Sequence, residues 1–262
     1  MKHLNQFITE YIVKKKLDNP INSEDHYKYT PKTKEELVKN IEELIQSDIY
    51  DFNCIDTSEI TDMSHLFEYI DIDRNFDVSR WNVSNVKDMT SMFYDRENFN
   101  CDLSSWNVSN VRLMLAMFSG CENFEGKGLE KWDVSNVKRM SSMFQVCKKF
   151  TGKCIENWNV SNVISTRNMF YKCKNLNCNL SNWNVSKVTD MYRMFYQCTN
   201  FEGVGIDKWN VSKVMHMEQM FLNCIKFKNN KIKIWNINKL ESTFKMFDGC
   251  TLLKNKPSWY NE

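Results

Sequence analysis

The sequence predicts an α/β repeat fold, a solenoid of 25–26-residue strand-turn-helix units with an N-terminal helical cap. Three observations carry that prediction. All eight tryptophans stand in one register, from Trp81 through Trp106, Trp132, Trp158, Trp183, Trp209 and Trp235 to Trp259, separated by 25, 26, 26, 25, 26, 26 and 24 residues. A period of this size marks stacked repeats, in which each unit touches only its neighbours. Each Trp is flanked by apolar residues in an L-x-x-W-x-V pattern, whose last part alternates inward and outward as a short strand does. Downstream, apolar residues recur eight, eleven, twelve and fifteen positions after Trp, the i, i+3, i+4, i+7 spacing of one helical face.

The unit is clearest in Leu103-Ser-Ser-Trp106-Asn-Val108-Ser-Asn-Val111, followed by Met114, Met117, Phe118 and Cys121. Asn107 and Ser109 are expected to face outward from the strand. Met191, Met194, Phe195 and Cys198 repeat the helical face, with Asp88 and Asp190 as candidate caps that accept backbone N–H bonds. One unit cannot bury Trp, Val, Met and Phe by itself, so the units must stack with the tryptophans as an internal ladder. An atypical first unit starts at Ile55, with Thr57 in the Val position and Ile60, Met63, Leu66 and Phe67 continuing the pattern. At a strand spacing of about 4.8 Å, the stack is roughly 38 Å long.

Before the repeats, Leu4, Phe7, Ile8, Tyr11 and Ile12 share one helical face that ends at Asn19 and Pro20. Thr33-Lys-Glu-Glu36 forms a capping box opening a second helix, with Leu37, Ile41, Leu44 and Ile45 on one side. Residues 1–50 are therefore assigned to a helical cap over the first coil, and residues 51–262 to about eight repeats and a terminal half-repeat. Pro20 to Pro31 is expected to be the most mobile stretch. The first twenty residues lack a continuous apolar core and a cleavage site, so no signal peptide is read there. Lys14, Lys15 and Lys16 beside the apolar face suggest a membrane-surface anchor, weighed against Glu10, Glu24 and Asp25.

The core motif is similar to the L-x-x-L-x-L of leucine-rich repeats. More specifically, W-[ND]-V-S-[NK]-V-x-x-M-x-x-M-F-x-x-C, as in Trp132 to Cys147, resembles the BspA-like leucine-rich-repeat surface proteins, including mycoplasma-type lipoprotein repeats. The resemblance covers roughly residues 31 to 259. Such repeats occur in bacterial surface proteins, large viruses and phages, and they imply attachment or protein interaction without catalytic residues. An exported adhesin would need an export signal, which is not read here.

Composition narrows function further. With 35 basic and 33 acidic residues the net charge is +2, so no broad field attracts nucleic acid or a membrane. No apolar run approaches transmembrane length, and the expected location is intracellular. Of ten cysteines, Cys121, Cys147, Cys173, Cys198, Cys224 and Cys250 share the position fifteen after Trp and read as core. Cys101 and Cys178 share a loop position, while Cys54 and Cys154 stand outside the ladder. No C-x-x-C pattern exists, and the four histidines pair with no nucleophile, so no metal, cofactor or catalytic site is assigned. The Asn-x-Ser triplets at Asn82, Asn107, Asn159, Asn184 and Asn210 are read as repeat strand rather than glycosylation sites.

The resulting expectation is a non-enzymatic protein-protein interaction module with a protein partner of unknown identity. Where the units diverge, Tyr192, Arg193 and Tyr196, with Leu113 and Leu115, are the candidate protein contacts, because aromatic and Arg side chains anchor interfaces. At the C-terminus, Leu252, Leu253 and Trp259 are candidates for end association: self-association, or docking into an assembly such as a virus particle. Pro257 would blunt that edge.

Overall fold

A computed structural model describes residues 27–260. Its only α-helix there, α1, spans Lys34–Gln46. The Thr33 hydroxyl accepts from the Glu36 amide at 3.2 Å, and the Glu36 carboxylate accepts from the Lys32 amide at 2.6 Å. This is the expected capping box, shifted by one residue at its return bond. Leu37, Ile41 and Leu44 are fully buried and belong to the same hydrophobic core as Phe52, Ile55 and Met63 of the first coil. The helix expected over the first twenty residues, and the lysines beside it, lie outside the described residues. Part of the stretch expected to be most mobile is fixed: Tyr29 forms a parallel bridge with Ile55, and Pro31 is buried.

The strand-turn-helix unit is not what forms. Successive coils do stack in parallel, but they meet at isolated single-residue bridges, from Asp62 through Asp88, Leu113, Arg139, Ser165, Asp190 and His216 to Ser242. No β-strand longer than a bridge and no α-helix other than α1 occurs among the described residues, so the α/β solenoid of strands and helices is overturned.

Hydrogen bonding explains why the expected strand fails. Turns close on both sides of Trp106-Asn-Val108, the Trp106 amide donating to Leu103 and the Val111 amide to Val108. The segment between them is too short for a ladder. The Asn107 side chain accepts from the Ser109 amide at 3.1 Å, an Asx-turn that recurs at Asn82, Asp133, Asn159, Asn184 and Asn210. The repeated Asn-x-Ser is thus structural. Its neighbours Asn85, Asn110, Asn136 and Asn162 each donate a side-chain N–H to a carbonyl of the preceding coil, replacing a backbone rung.

The expected helix fails for a different reason. Ten and fourteen residues after each Trp the backbone turns left-handed, as at Ala116 and Gly120 or Ser142 and Val146. Each such residue is the third of a four-residue turn, exemplified by Met143 N–H donating to Met140 and Cys147 N–H to Phe144 on either side of these corners. Two successive turns place Met, Met, Phe and Cys inward at nearly the spacing of a helix. Unlike a helix, they free alternate amides: Met114, Ala116, Phe118 and Gly120 donate to Arg139, Ser141, Met143 and Gln145 of the next coil. Asp88 and Asp190, expected as helix caps, accept instead from Thr90 and Tyr192 in tight Asx-turns.

The core is continuous along the stack. Phe67, Phe93, Phe118, Phe144, Phe170, Phe195, Phe221 and Phe247 form a column with centroids 5.4–5.8 Å apart. Every Trp from Trp81 to Trp235 is buried and donates its indole N–H to the preceding coil, as Trp158 does to Leu129 at 2.8 Å. The cysteine column is core, as expected. Each thiol, such as Cys173, donates to a Phe carbonyl one coil back at 2.8–3.0 Å. Burial holds these thiols well above their ordinary range, hence protonated. Cys101 and Cys178 are buried too, whereas Cys54 and Cys154 are half-buried.

From Trp81 onward the difference between 25 and 26 residues sits at one corner. The 26-residue intervals up to Trp235 carry a short 3-10 turn there, at Leu129–Lys131, Lys153–Ile155, Ile206–Lys208 and Asn230–Ile234. The two 25-residue intervals pass through Cys101-Asp102-Leu103 and Cys178-Asn179-Leu180 without one. Gly128 makes this corner possible, because at φ 91° a Cβ would meet the Ser104 Cα at 2.6 Å.

Candidate functional site

The turn pair that supplies the inward Met, Phe and Cys also presents outward positions nine, ten and thirteen residues after Trp. Successive coils superpose these positions in columns. Tyr192 is directed by the Asx-turn at Asp190, whose carboxylate accepts from the Tyr192 amide at 2.9 Å. Arg193 takes the left-handed corner at φ 52°, which turns its side chain back over its own coil. Its guanidinium lies 4.8 Å from the Tyr192 ring and 5.5 Å from the Tyr196 ring. Its Nε donates to the Gln219 side-chain oxygen of the next coil.

The preceding coil completes the patch. Arg167 also lies over the Tyr192 ring, 4.1 Å from its centroid, and its guanidinium is 3.6 Å from Asp190. Tyr171 stacks on Tyr196 with centroids 4.7 Å apart and rings 14° from parallel. Lys172 sits 5.1 Å from the Tyr171 ring. Tyr171, Tyr192, Arg193 and Tyr196 are all half-buried, and Arg167 is exposed. Such rings and guanidiniums are held in place before any partner arrives, which lowers the entropic cost of using them in an interface.

Tyr192, Arg193 and Tyr196 are thus brought together. Leu113 and Leu115 are not part of that cluster. Leu115 occupies the Tyr192 column three coils earlier, roughly 14 Å away at the usual ladder spacing, and Leu113 is a bridge residue between Asp88 and Arg139. Both are half-buried. Tyr171 stands out in the sequence only as one of the tyrosines that recur just after the buried Phe, and Arg167 and Gln219 do not stand out there; each is one repeat from a candidate contact, and comparing columns rather than single units finds them.

The end-association residues divide. Leu252 is 52% exposed, Leu253 is buried, and Trp259 is half-buried and stacks on Trp235 at 6.3 Å. The same coil carries a groove lined by Ile237, Leu240, Phe244 and Trp259, with Glu241, Ser242 and Thr243 at its polar side. Phe244 is 55% exposed.

Among the described residues no group of three His, Cys, Asp or Glu could hold a metal ion, and no helix is long and apolar enough to cross a membrane. His65 pairs with Glu68, and His216 lies 3.7 Å from Glu241.

The family described as Mycoplasma protein of unknown function, DUF285, matches the chain over residues 34–154, 114–205 and 139–260, overlapping segments that together run from α1 to the last coil. Neither the curated proteins nor the solved structures give a match.

Proposed function

Because the chain belongs to this DUF285 repeat family, whose function is unknown, we propose from its own geometry that it is a non-enzymatic protein-protein interaction module. The observation that carries the reading is the preassembled Arg167, Tyr171, Tyr192, Arg193 and Tyr196 patch. Its side chains contribute little to the core ladders, yet they are organised across adjacent coils. Tyr and Arg in such a setting dominate the energetics of protein interfaces. The buried thiols support the non-enzymatic part of the reading, since each ladder thiol is protonated and already donates to a carbonyl.

The test is photo-crosslinking from a probe placed at Ser165, beside the patch, followed by quantification of the captured protein with Tyr192→Ala/Arg193→Ala. A single partner lost in the double variant, with unchanged thermal unfolding, supports the module. Capture that is indifferent to the double variant overturns it. A second reading, an assembly component joined through its ends, is favoured by the open groove and the exposure of Phe244 and Leu252 in the last coil.

A further inference from the structure

After each Trp, the side chains four and six positions on point outward on either side of a buried Val, and successive coils superpose them as two columns. Backbone bonds fix the second column in the middle of the stack: the Arg112 amide donates to the Lys87 carbonyl and the Lys138 amide to the Arg112 carbonyl, both at 2.9 Å. Lys87, Arg112 and Lys138 therefore occupy consecutive rungs, about 4.8 Å apart. All three are exposed, and so is Arg139 beside them. Thr61 stands on the rung before and Ile164 on the rung after, which bounds the basic run.

Like charges on facing rungs repel, and the fold does not offset them. Elsewhere a lysine meets a carboxylate one coil back, as Lys127 does with Asp102 at 2.8 Å and Lys228 with Glu202 at 2.6 Å. Among the described residues Lys87, Arg112, Lys138 and Arg139 make no ion pair. The carboxylates of Asp88 and Asp133 are engaged in their own turns, accepting from the Thr90 and Ser135 amides.

A groove lined by Asn110, Arg112, Asn136 and Lys138 runs between the two columns. Its asparagines have a fixed orientation: Asn110 and Asn136 donate a side-chain N–H to the Ser84 and Ser109 carbonyls at 2.7 and 2.8 Å. Each is left with an Oδ1 acceptor that meets no donor among the described residues. One coil on, the equivalent oxygen of Asn162 accepts from the Lys187 ammonium at 2.6 Å, so an oxygen in this column can take a donor from outside its own coil. The groove thus sets cations along one side and acceptors along the other, with no aromatic or apolar side chain lining it.

That pairing selects a polymer carrying both anionic groups and free hydroxyls. Guanidinium and ammonium groups take the anion, and a sulfate, with three oxygens, can bridge cations on adjacent rungs. Hydroxyl donors meet the amide oxygens. A single nucleic-acid strand would find no ring to stack on. An extended acidic peptide presents same-face carboxylates about 6.6–6.8 Å apart, out of step with rungs about 4.8 Å apart. We propose that this groove binds a linear sulfated polysaccharide, its sulfates on Lys87, Arg112, Lys138 and Arg139 and its hydroxyls on Asn110 and Asn136. The site goes beyond the protein-interaction reading and shares no residue with the tyrosine-arginine patch.

The experiment titrates the full chain into a fluorescein-labelled heparin oligosaccharide and follows fluorescence anisotropy. Binding is expected to weaken about tenfold in Arg112→Gln/Lys138→Gln and again on raising the salt, while the unfolding temperature of that variant without the sugar does not fall, because two like charges have been removed. Lys174→Gln/Lys226→Gln, which removes the same charge from exposed lysines outside the groove, is expected to bind as the parent does. Tyr192→Ala/Arg193→Ala is expected to bind the sugar normally whether or not it loses a crosslinked partner, so the two sites are judged separately. No binding, an equal loss in Lys174→Gln/Lys226→Gln, or equally tight binding of inorganic polyphosphate, polyglutamate or a single-stranded oligonucleotide overturns the proposal.

Discussion

Replacing Trp158 by Phe removes one rung of the indole ladder while keeping an aromatic ring in the slot. Trp158 is 3% exposed, stacks on Trp132 at 6.3 Å, and donates its indole N–H to the Leu129 carbonyl at 2.8 Å. That carbonyl also accepts from the Trp132 amide, so the substitution leaves it partly satisfied. The lost hydrogen bond is then worth about 1 kcal/mol. The missing part of the indole takes some 40 Å² of apolar surface out of the core, worth about 1 kcal/mol at 25–30 cal/mol per Å², with a further cavity cost of similar size. The expected loss is about 2–3 kcal/mol. Trp259 provides the internal control: it stacks on Trp235, but its buried indole N–H meets no acceptor. Trp259→Phe should therefore cost less than 1 kcal/mol, because it also removes an unpaired buried donor. Urea unfolding followed by far-ultraviolet circular dichroism compares the two. Equal losses at both positions would refute the assignment of stability to the indole-to-carbonyl rung.

Other expectations concern the turn pair, the thiols and the side-chain rungs. Val146 holds φ 62°, unfavourable for a branched side chain, so Val146→Gly should stabilise the protein by about 0.5–1 kcal/mol. Gly120→Val at the equivalent corner should destabilise it by about 2–3 kcal/mol, since a Cβ there runs into Asp95 and approaches its Cα to 2.9 Å; thermal unfolding measures both. Thiols ionise near pH 9.0 when unfolded, whereas burial pushes Cys154 and Cys250 up to about 12. Raised folded values contribute stability that is complete below pH 9.0 and is lost as pH rises towards 12, so alkaline unfolding should weaken in Cys250→Ala. Native-state alkylation read by mass spectrometry should modify Cys54 and Cys154 before the ladder cysteines; early labelling of Cys173 would contradict the packing. Asn136→Ala deletes a side-chain rung to Ser109 and should cost about 0.5–1 kcal/mol in urea unfolding.

The repeat, its register, the first unit at Ile55 and almost every inward side chain were legible in the sequence, because burial follows the periodic placement of Trp, Val, Met, Phe and Cys. Backbone conformation was not. Met114, Met117, Phe118 and Cys121 point inward equally well from one helical face or from two turns cornered at Ala116 and Gly120, and apolar spacing alone cannot tell these apart. The missing signal is left-handed backbone, which in this chain is adopted by Ala116, Ser142, Val146 and Arg193 rather than by glycine alone. Similarly, Trp106-Asn-Val108 alternates like a strand, but the Asx-turn that shortens it is written in Asn107-x-Ser109, which also reads as a polar outer face. Tyr192, Arg193 and Tyr196 were legible as exceptions to the repeat. Tyr171 was legible as a recurrence just after the buried Phe, whereas Arg167 becomes visible only when coils are superposed, since it looks unremarkable within its own unit.

The corner that separates 25-residue from 26-residue intervals lies outside the phenyl and thiol columns and meets the indole ladder through a single carbonyl, that of Leu129, Ile155 or Ile206. At Leu129–Lys131 or Ile206–Lys208 a residue is gained without moving the indole, phenyl or thiol columns on either side. Such a corner gives the stack slack: evolution or engineering can lengthen it, seat a binding loop there, or place a reporter peptide in it, while the hydrogen bonds between neighbouring coils stay in phase.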